Sequence, residues 1–275
     1  MRSDPIPVIR EWEHARCRHP FFAEGLSEKD IDKIWDDSAE TYGDGTLSEI
    51  HDMITEFLVS EGYVSRNKDL LDIGCGPGTY SLRLSPSVKG ILAIDKSARM
   101  LERLDGICGT EGITNIRTEC ADWDVYVPKR KYDIAFSSLC PPVNSSVSIL
   151  KMEMCSSDTC IYISSMSKDR DSIYFEIWRE LGREYTYEGY DTGFPLRFLK
   201  SIGREPILKK FEIETCSESE PGRLAEFYKR KFLLYRDERE ISKAIEDVVG
   251  SHAEEGVVRT EQMNRLGLLI WRPSQ

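Results

Sequence analysis

Three glycines at alternate positions carry the first chemical signal, in Leu70-Leu71-Asp72-Ile73-Gly74-Cys75-Gly76-Pro77-Gly78-Thr79, where a short apolar run ends. Glycines so placed let a backbone bend sharply and let a ligand touch main-chain atoms with no side chain between. Asp72 stands two residues before the first glycine, and Asp95 closes a second apolar run. An acidic side chain about 20 residues beyond such a turn can accept hydrogen bonds from both hydroxyls of a ribose. A dinucleotide fingerprint would need its third glycine at position 79, which is Thr, while Gly78 comes one residue early behind the rigid Pro77. The pattern suits one nucleoside with a short polar tail better than NAD.

Other segments with chemical potential lie around this one. Cys120-Ala121-Asp122-Trp123 follows a third apolar run, and Tyr132 to Ser138 forms a fourth that leads into Leu139-Cys140-Pro141-Pro142-Val143-Asn144. The stretch Tyr185 to Pro195, with Tyr190 and Phe194, is rich in aromatics but off helical period, as expected of a pocket wall. Of the four histidines, His51 falls in an amphipathic helix, His14 and His19 near the start and His252 late in the chain. None has the company of a general base, so no catalytic residue is assigned.

These residues need a scaffold, and from Lys68 onward short apolar runs alternate with amphipathic stretches, as in a parallel sheet. The expected strands are Leu70 to Ile73, Gly90 to Asp95, Asn115 to Cys120, Tyr132 to Ser137 and Thr159 to Ser164, followed by Ile207 to Cys216 and Leu266 to Trp271. Helices are expected after Ser97, over Val143 to Cys155 and over the charged stretch Arg223 to Val249. Residues 1–67 read as a helical N-terminal segment packed on a core domain of 68–275, with a helical insertion at about 221–256 that should cover the substrate side.

The pattern Asp-x-Gly-x-Gly-x-Gly resembles the first motif of the class I S-adenosylmethionine-dependent methyltransferases, and the likeness runs from about Trp35 to Ser164. It implies an α/β fold with a mostly parallel, seven-stranded, doubly wound sheet, and S-adenosyl-L-methionine as cofactor. Asp72, Gly74, Cys75, Gly76 and Gly78 would then form the turn under the cofactor, Asp95 the ribose anchor with Lys96 and Met100 beside it, and Asp122 the adenine contact with Trp123 following. Trp35-x-x-x-Ala39-x-x-Tyr42 resembles a segment that folds over the methionine end, and Ser137 and Ser138 would end the strand facing the transferred methyl. Amino-group methyltransferases place an Asn/Asp/Ser-Pro-Pro-aromatic loop near here. Cys140 and Val143 depart from that pattern, so its chemistry is not carried over. Cys140, Asn144, Tyr190 and Phe194 are the substrate-side candidates.

The implied activity is in-line methyl transfer to a small molecule, for which alignment can supply roughly 7–11 kcal/mol of barrier lowering. The alternatives are a protein acceptor, or cofactor binding without catalysis. With 37 Lys plus Arg against 48 Asp plus Glu, the net charge of −11 argues against nucleic acid. No apolar run reaches the ~18 residues of a membrane span, and the start lacks a secretory leader, so a cytoplasmic protein is expected. Its eight cysteines, with no CxxC spacing, are expected as reduced thiols without a metal. A homodimer is compatible with all of this.

Overall fold

A computed structural model describes residues 3–18, 27–40, 42, 48–166, 172–182, 191–232 and 238–274. Helices α1 (Ile6–Arg16), α2 (Glu28–Ser38) and α3 (Ser48–Ser60) precede the sheet. The core then runs β1 (Asp69–Ile73), α4 (Thr79–Leu84), β2 (Gly90–Asp95), α5 (Ala98–Glu111), β3 (Ile116–Cys120), β4 (Tyr132–Ser138), α6 (Ser146–Cys155) and β5 (Ser156–Ser165). After it come α7 (Ser172–Glu180), α8 (Gly193–Ser201), β6 (Ile207–Ser219), α9 (Pro221–Lys231), α10 (Glu238–Ser251), β7 (Ala253–Glu254) and β8 (Val257–Trp271).

The strand order is β3-β2-β1-β4-β5-β8-β6, with β7 paired to β8. Strands β1 to β5 are mutually parallel where they pair, whereas β8 is antiparallel to both β5 and β6. The expected mostly parallel sheet is present, with one strand more than the seven expected. The addition is the two-residue β7, folded onto β8 through Glu255 and Gly256, both at positive φ. Two consecutive positive φ values are what a two-residue hairpin turn requires.

The central strands are apolar along their length because both faces are covered. Leu70, Ile91, Ala93, Ile134, Phe136, Ile161 and Ile163 face Ile50, Ile54, Leu58, Tyr80, Leu84 and Leu104 from α3, α4 and α5. The alternate residues Leu71, Ile73, Ile94, Ala135, Cys160 and Tyr162 face Trp12, Ile149, Met152, Phe198 and Leu199 from α1, α6 and α8. Each large side chain so buried contributes about 1.5–3 kcal/mol relative to exposure. Serines set the helix starts: Ser27, Ser97 and Ser145 each accept an amide hydrogen bond at the head of α2, α5 and α6.

The last two strands run further than their apolar runs suggest. Only Leu266–Trp271 of β8 pairs with β5, yet β6 and β8 stay paired from Ile207–Ile270 out to Ser219–Val258. Since Leu266 already lies beside Ser165, the last residue of β5, the remainder of the ribbon projects past the carboxyl edge of the sheet. That outer half, with Thr260, Glu261, Gln262 and Asn264, lacks the burial on both faces that makes a strand read as apolar. It carries α9 and α10, which close with α7 on a core of their own containing Ile173, Trp178, Tyr228, Phe232, Ile245 and Val258.

Candidate active site

The glycine turn leaves β1 at the carboxyl edge. Gly74, Gly76 and Gly78 have φ values of 69°, 55° and 89°, a region that side chains with a Cβ rarely adopt. Gly74 is doubly constrained, because a Cβ there would run into Cys140 Sγ from the loop after β4. The amides of Gly74 and Cys75 donate to Ile94 O at 2.9 and 3.0 Å, which fastens the turn to β2.

Asp95 ends β2 beneath this turn. Its Oδ2 accepts from Gly76 N at 2.8 Å and its Oδ1 from Ser97 N at 2.9 Å. Burial pushes its pKa up, while those amides pull it down. Asp72 turns inward: 2% exposed, it accepts from Ser81 Oγ at 2.6 Å. Burial raises its pKa to about 7, the Ser81 hydrogen bond opposing and the Asp95 charge reinforcing the rise. Asp72 therefore braces the turn against α4.

A strap formed by α2 and Tyr42 crosses β2 and α5. Ser97 Oγ donates to Asp36 at 2.5 Å, Lys96 bridges Asp32 and Asp122 at 3.0 and 3.1 Å, and Arg103 donates to the carbonyls of Ala39 and Tyr42. Tyr42 meets Trp35 edge-on at 6.1 Å, and its ring lies 3.8 Å from where a Cβ on Gly76 would stand. Burial, then the neighbouring Cys140 and Asp95, raise the Tyr42 pKa to about 12, so it stays a phenol. Met100 is buried in the first turn of α5.

Trp123, the residue after Asp122, turns into the core. It is 4% exposed, stacks on Tyr126 and donates from Nε1 to Ser148 Oγ at 2.6 Å, as a core aromatic. Ser137 is buried too and donates to Ile73 O. Ser138 is half-buried at the end of β4, beside Tyr80.

The substrate-side candidates divide. Cys140 packs on the glycine turn, and burial lifts its thiol to about 12, out of nucleophilic range. Asn144 and Phe194 meet at a residue that sequence reasoning missed, Trp12 of α1. Trp12 is fully buried, donates from Nε1 to Asn144 Oδ1 at 3.1 Å and stacks on Phe194 at 6.2 Å. The amide nitrogen of Asn144, 1% exposed, has no partner among the described residues. Tyr190 lies outside the described residues. Tyr80 was missed as well, and its only sequence signal is its place two residues past Gly78.

Residues of this kind fit S-adenosylmethionine. A Cβ on Gly76 would stand against the Tyr42 ring, and Asp95 holds its carboxylate at the turn through the Gly76 and Ser97 amides. Among the described residues no cluster could hold a metal ion, and no helix is long and apolar enough to cross a membrane.

Comparison with known proteins agrees with this geometry. Residues 70–150 match the family model described as a methyltransferase domain. No curated protein matches the sequence. Among solved structures, the YcgJ protein of Bacillus subtilis superposes with a TM-score of 0.55 at 13% identity, covering 80% of this chain and 98% of its own. A candidate methyltransferase of Bacillus halodurans, BH2331, gives 0.54 at 14% identity, covering 80% and 99%. The [4+2]-cyclase SpnF gives 0.51 at 14% identity, covering 82% and 81%. At such identities the structures speak for the fold, while the family match falls on the segment that forms the glycine turn and Asp95. The chain has the fold of the class I S-adenosylmethionine-dependent methyltransferases and carries a methyltransferase domain match over residues 70–150.

Proposed function

We propose that this enzyme transfers the methyl group of S-adenosylmethionine to a small-molecule acceptor held between the loop after β4, α1 and α8, beneath the cap of α7, α9 and α10. Bound S-adenosylmethionine supplies an electrophilic methyl on a positively charged sulfur. The glycine turn and Asp95 hold it, Tyr42 and the α2 strap cover it, and Asp122 stands ready for the adenine amino group once Lys96 releases it. Ser138 and Cys140 face the acceptor side.

Enclosure carries the choice of a small acceptor. The ribbon of β6 and β8 delivers a packed helical cap past the carboxyl edge, and Trp12 stacks on Phe194 and holds Asn144 of the loop after β4. A polymer would need an open groove, whereas a small molecule gains from water exclusion. The charge of −11 disfavours nucleic acid. All eight cysteines are free, in keeping with the reducing cytoplasm.

Methyl-labelled S-adenosylmethionine incubated with the protein and fractionated cell extract tests the reading. Label should enter the small-molecule fraction. Label in protein would favour the protein acceptor instead, and tight binding of S-adenosylhomocysteine with no transfer in any fraction would leave a cofactor-binding protein. The fold shared with a [4+2]-cyclase makes that last arm necessary.

A further inference from the structure

Ten large apolar side chains stand exposed among the described residues, and five of them gather on one face. These are Val147, Leu150 and Met154 of α6, with Val125 and Val127 of the loop bound along its flank. Single exposed apolar residues are ordinary, whereas a contiguous cluster marks a surface made for contact.

Helix α6 is apolar on both sides. Ile149, Met152 and Cys155 pack in the core under the sheet, while Val147, Leu150 and Met154, its only exposed positions, are apolar as well. A helix that is hydrophobic all round is normally buried all round. Its one carboxylate, Glu153, is turned inward to Arg204 and Trp271. The outer ridge therefore carries no acid, in a chain whose net charge is −11. Its intervals of three and four residues are those of a seam that packs on another helix.

The loop after β3 widens this ridge on one side. Lys151 donates to the carbonyls of Trp123 and Asp124, and Trp123 donates from Nε1 to Ser148 Oγ at 2.6 Å. Trp123 and Tyr126 turn into the core, which leaves Val125 and Val127 facing out at 78% and 77% exposure. At about 100° per residue, Lys151 and Glu153 fall on opposite flanks of the ridge. The valine loop thus lies on the Lys151 flank, and Arg204 on the other. Together the five side chains expose roughly 500 Å² of apolar surface, close to the apolar share of the ~800 Å² that each partner buries in a standard interface.

We propose that this face is a homodimer interface, in which α6 packs antiparallel on its copy across a two-fold axis beside Leu150. A two-fold contact must be self-complementary, and antiparallel pairing makes this one so. Leu150 meets its own copy, and short Val147 meets long Met154 at either end. The valine flank also meets its own copy, whereas parallel pairing would set it against the Arg204 flank. Lys151 and Asp124, neighbours on the valine flank, bring equal numbers of opposite charges to the contact. Two chains that repel through their net charge therefore add no further repulsion here.

Sedimentation velocity of the full chain at micromolar concentration should give a species of twice the 31.6 kDa of one chain. Leu150→Glu places a charge at the axis and should raise the dissociation constant at least about thirtyfold, with an unchanged near-UV circular dichroism spectrum. Met154→Glu, at a position 68% exposed in the single chain, should do the same. Ile207→Glu, at an exposed apolar position on β6, should leave the dimer intact. A short bis-maleimide reads the pairing: Val147→Cys and Met154→Cys, co-expressed, should cross-link above the wild-type background of exposed Cys17, Cys120 and Cys216, and neither variant should do so alone. A monomer, a dimer that survives both glutamates, or one lost in Ile207→Glu overturns the proposal. A cross-link in Val147→Cys alone overturns the antiparallel pairing.

Discussion

Replacing Asp72 with Asn removes a titration while keeping a shape. In the unfolded chain this carboxyl titrates at about 3.9, but burial in the middle of β1 raises it to about 7 in the folded protein. Below the unfolded value both states hold the proton and the group has no effect on stability. As pH rises toward the folded value the unfolded chain ionises first, so stability falls, and the loss levels off once both states are charged. A rise of about three units at 1.36 kcal/mol each makes that loss at most about 4 kcal/mol. Asparagine is isosteric, its Oδ1 can accept the same hydrogen bond from Ser81 Oγ, and it never ionises. Urea unfolding of wild type and Asp72→Asn at matched pH isolates this group together with its coupling to Asp95, because the titrations of distant groups cancel in the difference. The advantage of the variant should grow from about pH 4 to about pH 7 and then stay level. A difference independent of pH, or a variant less stable than wild type at the alkaline end, would refute the reasoning.

Other expectations follow from the same geometry. Asp95→Ala removes a carboxylate that also anchors Gly76 N and Ser97 N, and should weaken S-adenosylhomocysteine binding by about 1.5–3 kcal/mol in calorimetry; unchanged affinity in a folded variant sinks the ribose assignment. Gly74→Ala drives a Cβ into Cys140 Sγ and should lower the thermal midpoint, and adding Cys140→Ala should restore only part of it, because the strain at positive φ remains. Arg204→Ala strips Glu153, 6% exposed, of two contacts at 2.8 Å and leaves it Trp271 Nε1 as its one side-chain partner among the described residues; a cost of about 3–5 kcal/mol in urea unfolding is expected for a buried charge that loses its counter-charge, and a cost near zero contradicts it. Hydrogen exchange should slow between Arg223 and His252 when cofactor and acceptor are both bound, whereas protection limited to the glycine turn and Asp95 would make the cap merely structural.

The parallel strands were legible because burial on both faces leaves contiguous apolar runs, as in Leu70-Leu71-Asp72-Ile73 and Ile134-Ala135-Phe136. The outer half of β8 was not, since from Val257 to Arg265 it pairs with β6 away from β5 and keeps a mixed composition. The turn, Asp95 and the strap motif were equally local: each occupies a few consecutive residues with fixed backbone demands. Trp123 reads as a ligand contact by position, yet its indole found Ser148 in the core. Trp12 had no legible chemistry, because the Asn144 that gives it meaning is 132 positions away. The meeting of α1, the loop after β4 and α8 through Trp12, Asn144 and Phe194 exists only once the sheet has brought them together.

The two covers over the site follow from topology and differ in what holds them. Because β8 runs against β1 to β5, its first half must emerge at the carboxyl edge, so any segment inserted between β6 and β8 arrives where the ligands bind. That cap closes on its own apolar core, with Tyr228 and Phe232 almost wholly buried, and opening it would expose several large side chains at about 1.5–3 kcal/mol each. The α2 strap buries no residue fully within its helix and is tied down mainly by Lys96, Arg99 and Arg103, with carboxylates that are largely in contact with water. Exposed pairs of that kind contribute about 0–1 kcal/mol each and weaken with salt. The strap is therefore the cheaper of the two to lift. It also lies over Ser97 and the glycine turn, through Asp36 and the Tyr42 ring.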